Sequence, residues 1–238
     1  MPRIVHLTTV HNPFDNRIFH RECRTLVEAG YEVVLLAGHE HDESHEGVEI
    51  RGLSLYGSRF TRMTTGVARA FFKAWSARAD LYHFHDPELI PAALLLRLLG
   101  KPVVYDIHED NRTAIREREY LPAWLRALVA SAFALFESTA GRCFRIVLAE
   151  HYYAERFPRG TAILNYARFP ELDDARLANR PYADHPRLLY TGNIKDYRGA
   201  YHHADLLGYL PDAEILLVGR CDPSLAAKLQ RDRLYLEG

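Results

Sequence analysis

The chain has 238 residues, 48% of them hydrophobic and 26% charged, with a formal net charge of −1. That composition is ordinary for a globular protein and long enough for one large domain or two of moderate size. The balanced charge excludes a general attraction to nucleic acid. Three cysteines, Cys23, Cys143 and Cys221, show no CxxC spacing. They read as small buried hydrophobes, not as a disulfide framework or a zinc ribbon.

The opening "MPRIVHLTTV" is too short and too interrupted by polar groups for a signal peptide. The longest apolar stretch, residues 121–136, carries Arg126 and falls short of the roughly 20 residues a membrane span needs. A buried helix in a cytoplasmic protein is the expectation. Residues 3–10 then predict a strand. Residues 15–30 predict a helix with Phe19, Cys23 and Leu26 on one stripe, Asp15 as N-cap and Gly30 as the C-terminal stop. Strands follow at 31–38 and, after a polar turn, at 48–55. An amphipathic helix spans 65–79, "DLYHFHD" is a strand, and 87–100 a helix ended by Gly100. Residues 101–109 form the next strand, followed by a polar stretch without helix, a long helix to Arg142, a strand at 144–150, a short helix, and a last strand at 161–166.

This β-then-α rhythm implies parallel strands with right-handed crossovers, a doubly wound sheet. Residues 167–186 break the rhythm with three prolines and dense charge and read as a linker. The rhythm then restarts over 187–238 as β-α-β-α-β, about half of a second doubly wound domain.

Polar residues gather where such a sheet binds ligands, just beyond the strand carboxyl ends. In "YHFHDPELIP" (82–91) Asp86, Pro87 and Glu88 read as helix-start chemistry. His83 and His85 share a strand face, but no third metal ligand sits at a supporting spacing. His85, at the strand end, either lines a cleft or is structural. "YDIHED" (105–110) releases His108, Glu109 and Asp110 at the next strand end, where a histidine can hold a phosphate or a sugar hydroxyl. The first β-to-α turn carries His11, Asn12, Asp15 and Arg17. It lacks the glycines of a dinucleotide fingerprint and suits hydroxyl or anion contacts. The matching turn of the second domain, "YTGNIKDYRG", offers Gly192, Lys195, Arg198 and Gly199 as a pyrophosphate cradle. Arg59, Arg62, Arg69, Lys73 and Arg78 interleave with aromatics around 65–79. They form either a solvated helix face or a contact with an anionic membrane surface.

Three blocks, "HNPFDNRIFHRECRTLVEAGYEVVLLA", "DLYHFHDPELIPAALLLRLLGKPVVYDIHED" and "YTGNIKDYRGAYHHADLLGYL", resemble in order and spacing the corresponding stretches of glycosyltransferase family 4, the group-1 transferases. The likeness is greatest to members that build bacterial surface polysaccharides. It implies a GT-B-like α/β fold: a Rossmann-like acceptor-side domain over 1–166, a linker, and over 187–238 the first half of a nucleotide-sugar-binding domain. It also implies metal-independent, retaining transfer from a UDP- or GDP-sugar, with no cofactor, to a glycan or lipid-linked acceptor, in peripheral contact with the inner membrane. His108 matches the histidine that contacts the donor, and Arg198 the second basic position facing the diphosphate. The first basic position is Asn193, which shifts that duty toward Lys195. Gly192 and Gly199 flank them. His11, Asp15, Arg17, His85, Asp86 and Glu109 are expected on the acceptor side. The Glu-x7-Glu pairs Glu32/Glu40 and Glu109/Glu117 fall in the first domain and match chance. The chain therefore reads as a fragment of a longer enzyme or as a naturally shortened protein. The alternatives are a glycan-binding or partner subunit without catalysis, and a sugar-nucleotide epimerase of the same fold.

Overall fold

The computed structural model describes residues 1–116, 122–166 and 185–238. The chain divides into two compact units, Met1–Ala167 and Arg168–Gly238. Most of the expected linker, 167–184, lies outside the described residues, as does Glu117.

The first unit is built on one sheet with strand order β3-β4-β2-β1-β5-β6-β7-β8. Its strands are β1 (Arg3–Leu7), β2 (Glu32–Gly38), β3 (Glu43–His45), β4 (Val48–Leu53), β5 (Leu81–Phe84), β6 (Val103–Ile107), β7 (Arg145–Leu148) and β8 (Thr161–Ala162). All pair in parallel except β3, which runs antiparallel to β4. The turn predicted over residues 39–47 thus includes a short edge strand. Its hairpin closes at Glu46 and Gly47, both at positive φ.

Period-two alternation sends the residues of β1 to opposite faces. Val5 and Leu7 join Val34, Leu36, Tyr82, Phe84 and Tyr105 in the larger core. That face is covered by α2 (Arg59–Thr61, a wide π-turn at Arg62–Gly66, then Val67–Ser76) and α3 (a 3-10 turn at Pro87–Leu89, then Ile90–Leu98). On the other face α1, a π-turn over Ile18–Cys23 continued as α-helix over Arg24–Glu28, packs Ile18, Phe19 and Cys23 on Val33, Leu35 and Ile50. Gly30 and Gly100 follow α1 and α3 at φ +87 and +78, the left-handed stop a glycine adopts without steric cost.

Three local expectations are corrected. The polar stretch after β6 contains a helix, α4 (Asn111–Arg116), capped by Asp110, whose carboxylate accepts from Thr113 N at 3.1 Å and Thr113 Oγ1 at 2.7 Å. The long helix α5 (Ala123–Gly141) is not buried: Trp124, Leu128, Leu135 and Phe136 are exposed. Its buried positions are Ala130, Glu137, Ala140 and Gly141, so it touches its neighbours mainly through small residues. Of the cysteines only Cys23 is buried; Cys143 is exposed and Cys221 half-buried, because both lie in turns beyond helix or strand ends.

The second unit carries three parallel strands in the order β11-β10-β9, from Arg187–Thr191 (β9), Glu214–Val218 (β10) and Leu234–Glu237 (β11). Helices α6 (Ala200–Tyr209) and α7 (Pro223–Leu229) pack Ala204, Leu207, Leu225 and Leu229 onto Ile215 and Leu217. This is the β-α-β-α-β order expected from the sequence. Among the described residues no helix is long and apolar enough to cross a membrane.

Candidate functional site

Parallel pairing in register puts polar side chains from three adjacent strands on one face of the sheet. His6 of β1 pairs with His83 of β5, and His83 with Val104 of β6. Two residues further along, His85 and Asp106 continue the column, and His108 extends it past the end of β6. The sheet face that buries Val33 and Leu35 near β2 therefore turns polar over β1, β5 and β6.

Asp106 is the centre of this column and is fully buried. Arg17 grips it bidentately, Nε donating to Oδ2 at 2.8 Å and Nη2 to Oδ1 at 2.7 Å, the fork geometry that makes Arg–carboxylate pairs strong. His85 Nδ1 and His108 Nδ1 each lie 3.1 Å from Asp106 Oδ2. Burial alone would raise the Asp106 pKa, but the bonds from Arg17, His108 and His85 hold it well below the usual carboxylate range. In return His108 rises above the ordinary histidine value: burial opposes protonation, and the Asp106 bond and the charges of Asp106, Asp86 and Glu109 outweigh it.

The loop after β1 is held by Asp86. Its side chain makes no capping bond to α3, which corrects the helix-start expectation for this residue; Pro87 does occupy the first helical turn. Asp86 Oδ2 accepts from Thr8 Oγ1 at 2.8 Å, Thr9 N at 2.6 Å and Val10 N at 3.2 Å. Its carboxylate is bent toward the β1 loop because four donors there lie within reach, Thr9 Oγ1 at 3.3 Å being the fourth. Glu88 is likewise engaged, accepting from Thr9 Oγ1 at 2.6 Å and from Arg62 Nε at 2.7 Å. The loop so fixed carries His11, whose Nε2 lies 3.0 Å from His108 Nε2 and 3.4 Å from Asp86 Oδ1. Asp15 opens α1 as expected, accepting from Arg17 N at 2.8 Å and Ile18 N at 3.0 Å.

His11, Asp15, Arg17, His85, Asp86 and His108 thus converge at the carboxyl ends of β1, β5 and β6, with the carboxylate of Glu109 near the His11–His108 pair. They form two layers. His85 and Asp86 are each 3% exposed and Arg17 5%, so these three position other groups and offer little to solvent. His11, His108 and Glu109 form the accessible layer.

In the second unit Gly192 lies at φ +140 and Gly199 at φ +79. Between them Asn193, Lys195 and Arg198 occupy the turn from β9 to α6, with a 3-10 turn over Asp196–Arg198. Arg198 is exposed and forms no ion pair among the described residues. Gly199 leads directly into α6, but its N–H and that of Ala200 bond back to Asp196 O and Lys195 O, so what this turn offers an anion is chiefly its two cations.

Sequence reasoning missed four residues. Asp106 lies two residues before His108, but its role needed Arg17 and His85, which only the fold brings to it. His6 and Glu22 needed the strand register and the position of α1. Gly219 needed the backbone: at φ +141, a Cβ there would fall 2.0 Å from Gly192 O, so only glycine lets β10 close on the Gly192 turn.

A family profile described as "Glycosyl transferase 4-like domain" matches residues 16–157. The chain belongs to this family of glycosyltransferases. No curated protein matches it by sequence. Among solved structures, this glycosyltransferase chain is similar to the sucrose-phosphate synthase of Thermosynechococcus elongatus (TM-score 0.71, 18% identity), with 100% of this chain and 70% of that one covered. HepE of Anabaena, solved with UDP and glucose, follows with TM-score 0.62 and 13% identity, covering 99% and 69%. A glycosyltransferase of Rickettsia africae gives 0.65 and 10%, covering 99% and 67%. At these identities the likeness establishes the fold, which is GT-B-like.

Proposed function

We propose that this glycosyltransferase moves a sugar from a UDP- or GDP-sugar to a glycan or lipid-linked acceptor, with retention and without a metal at the reacting centre. The observation that carries the proposal is the Arg17–Asp106–His108–His11 chain at the strand carboxyl ends. Departure of a nucleoside diphosphate develops negative charge, which preorganised donors stabilise without reorganisation cost. His108, whose pKa the Asp106 bond raises, supplies one such donor toward the sugar or its phosphate in its protonated form. Arg198 and Lys195 supply positive charge to the diphosphate, and the glycines beside them, lacking side chains, leave room for it. His11 and Glu109, the accessible partners of His108, face the acceptor hydroxyl. Solved relatives of the same fold hold UDP with glucose and UDP-glucose, which supports a nucleotide-sugar as donor. The likeness of the three sequence blocks to surface-polysaccharide transferases supports that pathway class. The exposed Phe60, Phe72 and Trp75 of α2, with exposed Arg59 beside them, support peripheral contact with an anionic membrane.

The test incubates the purified chain with UDP- and GDP-sugars and a lipid-linked acceptor fraction, and reads the free diphosphate and the anomeric configuration of the product. Acceptor-dependent release with retained configuration is expected. An epimerised free sugar nucleotide formed without acceptor would overturn transfer, and turnover abolished by chelator and restored by any divalent ion with equal efficiency would overturn its independence of metal.

A further inference from the structure

Behind the site just described, the sheet face holds a second cluster that shares only His85 with it. His6 and His83 face each other across β1 and β5 with ring centroids 4.6 Å apart, and His85 stacks on His83 at 4.8 Å. Glu22 descends from α1 onto the three rings. His6 Nδ1 lies 3.0 Å from His85 Nε2. Glu22 Oε2 lies 3.8 Å from His6 Nδ1, 3.8 Å from His85 Nε2 and 4.0 Å from His83 Nε2. All four ligand atoms fall within 4.8 Å of one another.

This set is poorly satisfied as a hydrogen-bond network. Two of its four ligand atoms, Glu22 Oε2 and His83 Nε2, are buried without a hydrogen-bond partner; His6 Nδ1 and His85 Nε2 have only each other, and the other Glu22 oxygen faces Arg17 Nε at 3.2 Å. Buried polar groups are nearly always partnered, so such a concentration of orphans calls for a missing partner. Three histidines and a carboxylate packed together carry many lone pairs and few protons, which suits a cation.

The geometry fits a specific ion. A tetrahedral zinc with ligands at about 2.0–2.2 Å has ligand–ligand edges of roughly 3.3–3.5 Å. Four of the six separations, at 3.0, 3.8, 3.8 and 4.0 Å, bracket that value and all six lie within 4.8 Å, so the Glu22 and His83 side chains would draw inward to close the site around an ion. The outer shell is also present. His85 presents Nδ1 to Asp106 at 3.1 Å, which fixes its tautomer with the Nε2 lone pair turned to the cluster, the carboxylate–histidine support usual at zinc sites.

We propose that His6, Glu22, His83 and His85 form a buried tetrahedral site for Zn2+, structural in role, that braces α1 against β1 and β5 beneath the catalytic layer. The ion touches no substrate, so the site stands or falls independently of the donor and acceptor assignments. Through Asp106 and Arg17 it is coupled to His108, and its loss loosens the positioning of that residue.

The test is metal content of the full chain after gel filtration in chelated buffer, read by mass spectrometry. About one zinc per chain is expected for the wild type, with loss to under about a tenth of that in Glu22→Gln and His83→Gln. The variant His41→Ala, at the exposed member of the separate His39–His41–Glu43 group, serves as control and keeps its zinc. X-ray absorption on the zinc-loaded wild type guards against variants that fail to fold, and predicts three imidazole nitrogens and one oxygen. A wild type that binds no zinc on titration, zinc lost equally in His41→Ala, or a first shell without three imidazoles would each overturn the proposal.

Discussion

At the scale of single residues, the Arg17–Asp106 pair decides most of the local energetics. Both partners are buried and bonded twice, so removing one leaves an uncompensated charge. Arg17→Met is expected to cost about 3–5 kcal/mol in urea unfolding with little change in slope. Arg17→Lys should recover only part of that loss, because an ammonium cannot reproduce the fork. His108 gives a prediction in pH. Its pKa is raised in the folded state, so its contribution to stability is complete below the ordinary histidine value and fades as pH rises through the raised one. If the protonated ring serves the donor, activity falls over the same alkaline limb. Asp106→Asn removes the bond that raises the pKa, and the limb should move to lower pH; a pH–rate profile unchanged by Asp106→Asn would contradict this role. The sequence pointed at His108 through its place after a strand, but Asp106, two residues earlier, was passed over. A lone aspartate in an apolar strand declares a function only when the groups facing it from α1 and β5 are known.

At the scale of elements, the β1 loop and the Gly192 turn are the parts that local pattern could not place. Asp86-Pro87 has the composition of a helix start, and Pro87 behaves as one, yet the Asp86 carboxylate turns to the loop after β1. Sequence spacing cannot reveal this, because the four competing donors lie 76 to 78 residues away. Asp86→Ala is expected to destabilise the first unit by about 2–4 kcal/mol through stranded backbone donors. It should also raise hydrogen exchange at residues 8–11, read by mass spectrometry. Gly219→Ala should unfold or loosen the second unit selectively, since no small shift relieves a 2.0 Å contact with backbone. The cost is about 2 kcal/mol or more, and the first unit's unfolding transition should stay where it is. By contrast the strands other than the short edge strand β3, with α1, α3 and their glycine stops, were legible in the sequence, because periodicity and capping act locally. α5 was misread as buried for the opposite reason: apolar content identifies a helix but not what covers it.

At the scale of the whole molecule, the doubly wound sheet explains why the site lies where it does. Parallel strands deliver their carboxyl ends to one edge, and three of them arrive with histidine or aspartate. The same register stacks His6, His83 and His85 behind that edge. The sequence alone offered His83 and His85 without a third ligand, since His6 lies 77 residues before His83 and only strand pairing joins them. The chain should cosediment with vesicles containing anionic lipid and release at high salt, and Phe60→Ser with Phe72→Ser should weaken that binding about tenfold or more, since both rings are exposed and touch no core.

The central claim is that His108, braced by Asp106, holds the donor. Calorimetric titration of UDP-glucose and GDP-mannose against the wild type and His108→Ala tests it directly. Saturable binding of one donor class by the wild type is expected, weakened about tenfold or more, or about 1.4 kcal/mol, in the variant. Equal affinity in both proteins, or no binding of any nucleotide-sugar by the wild type, would contradict it.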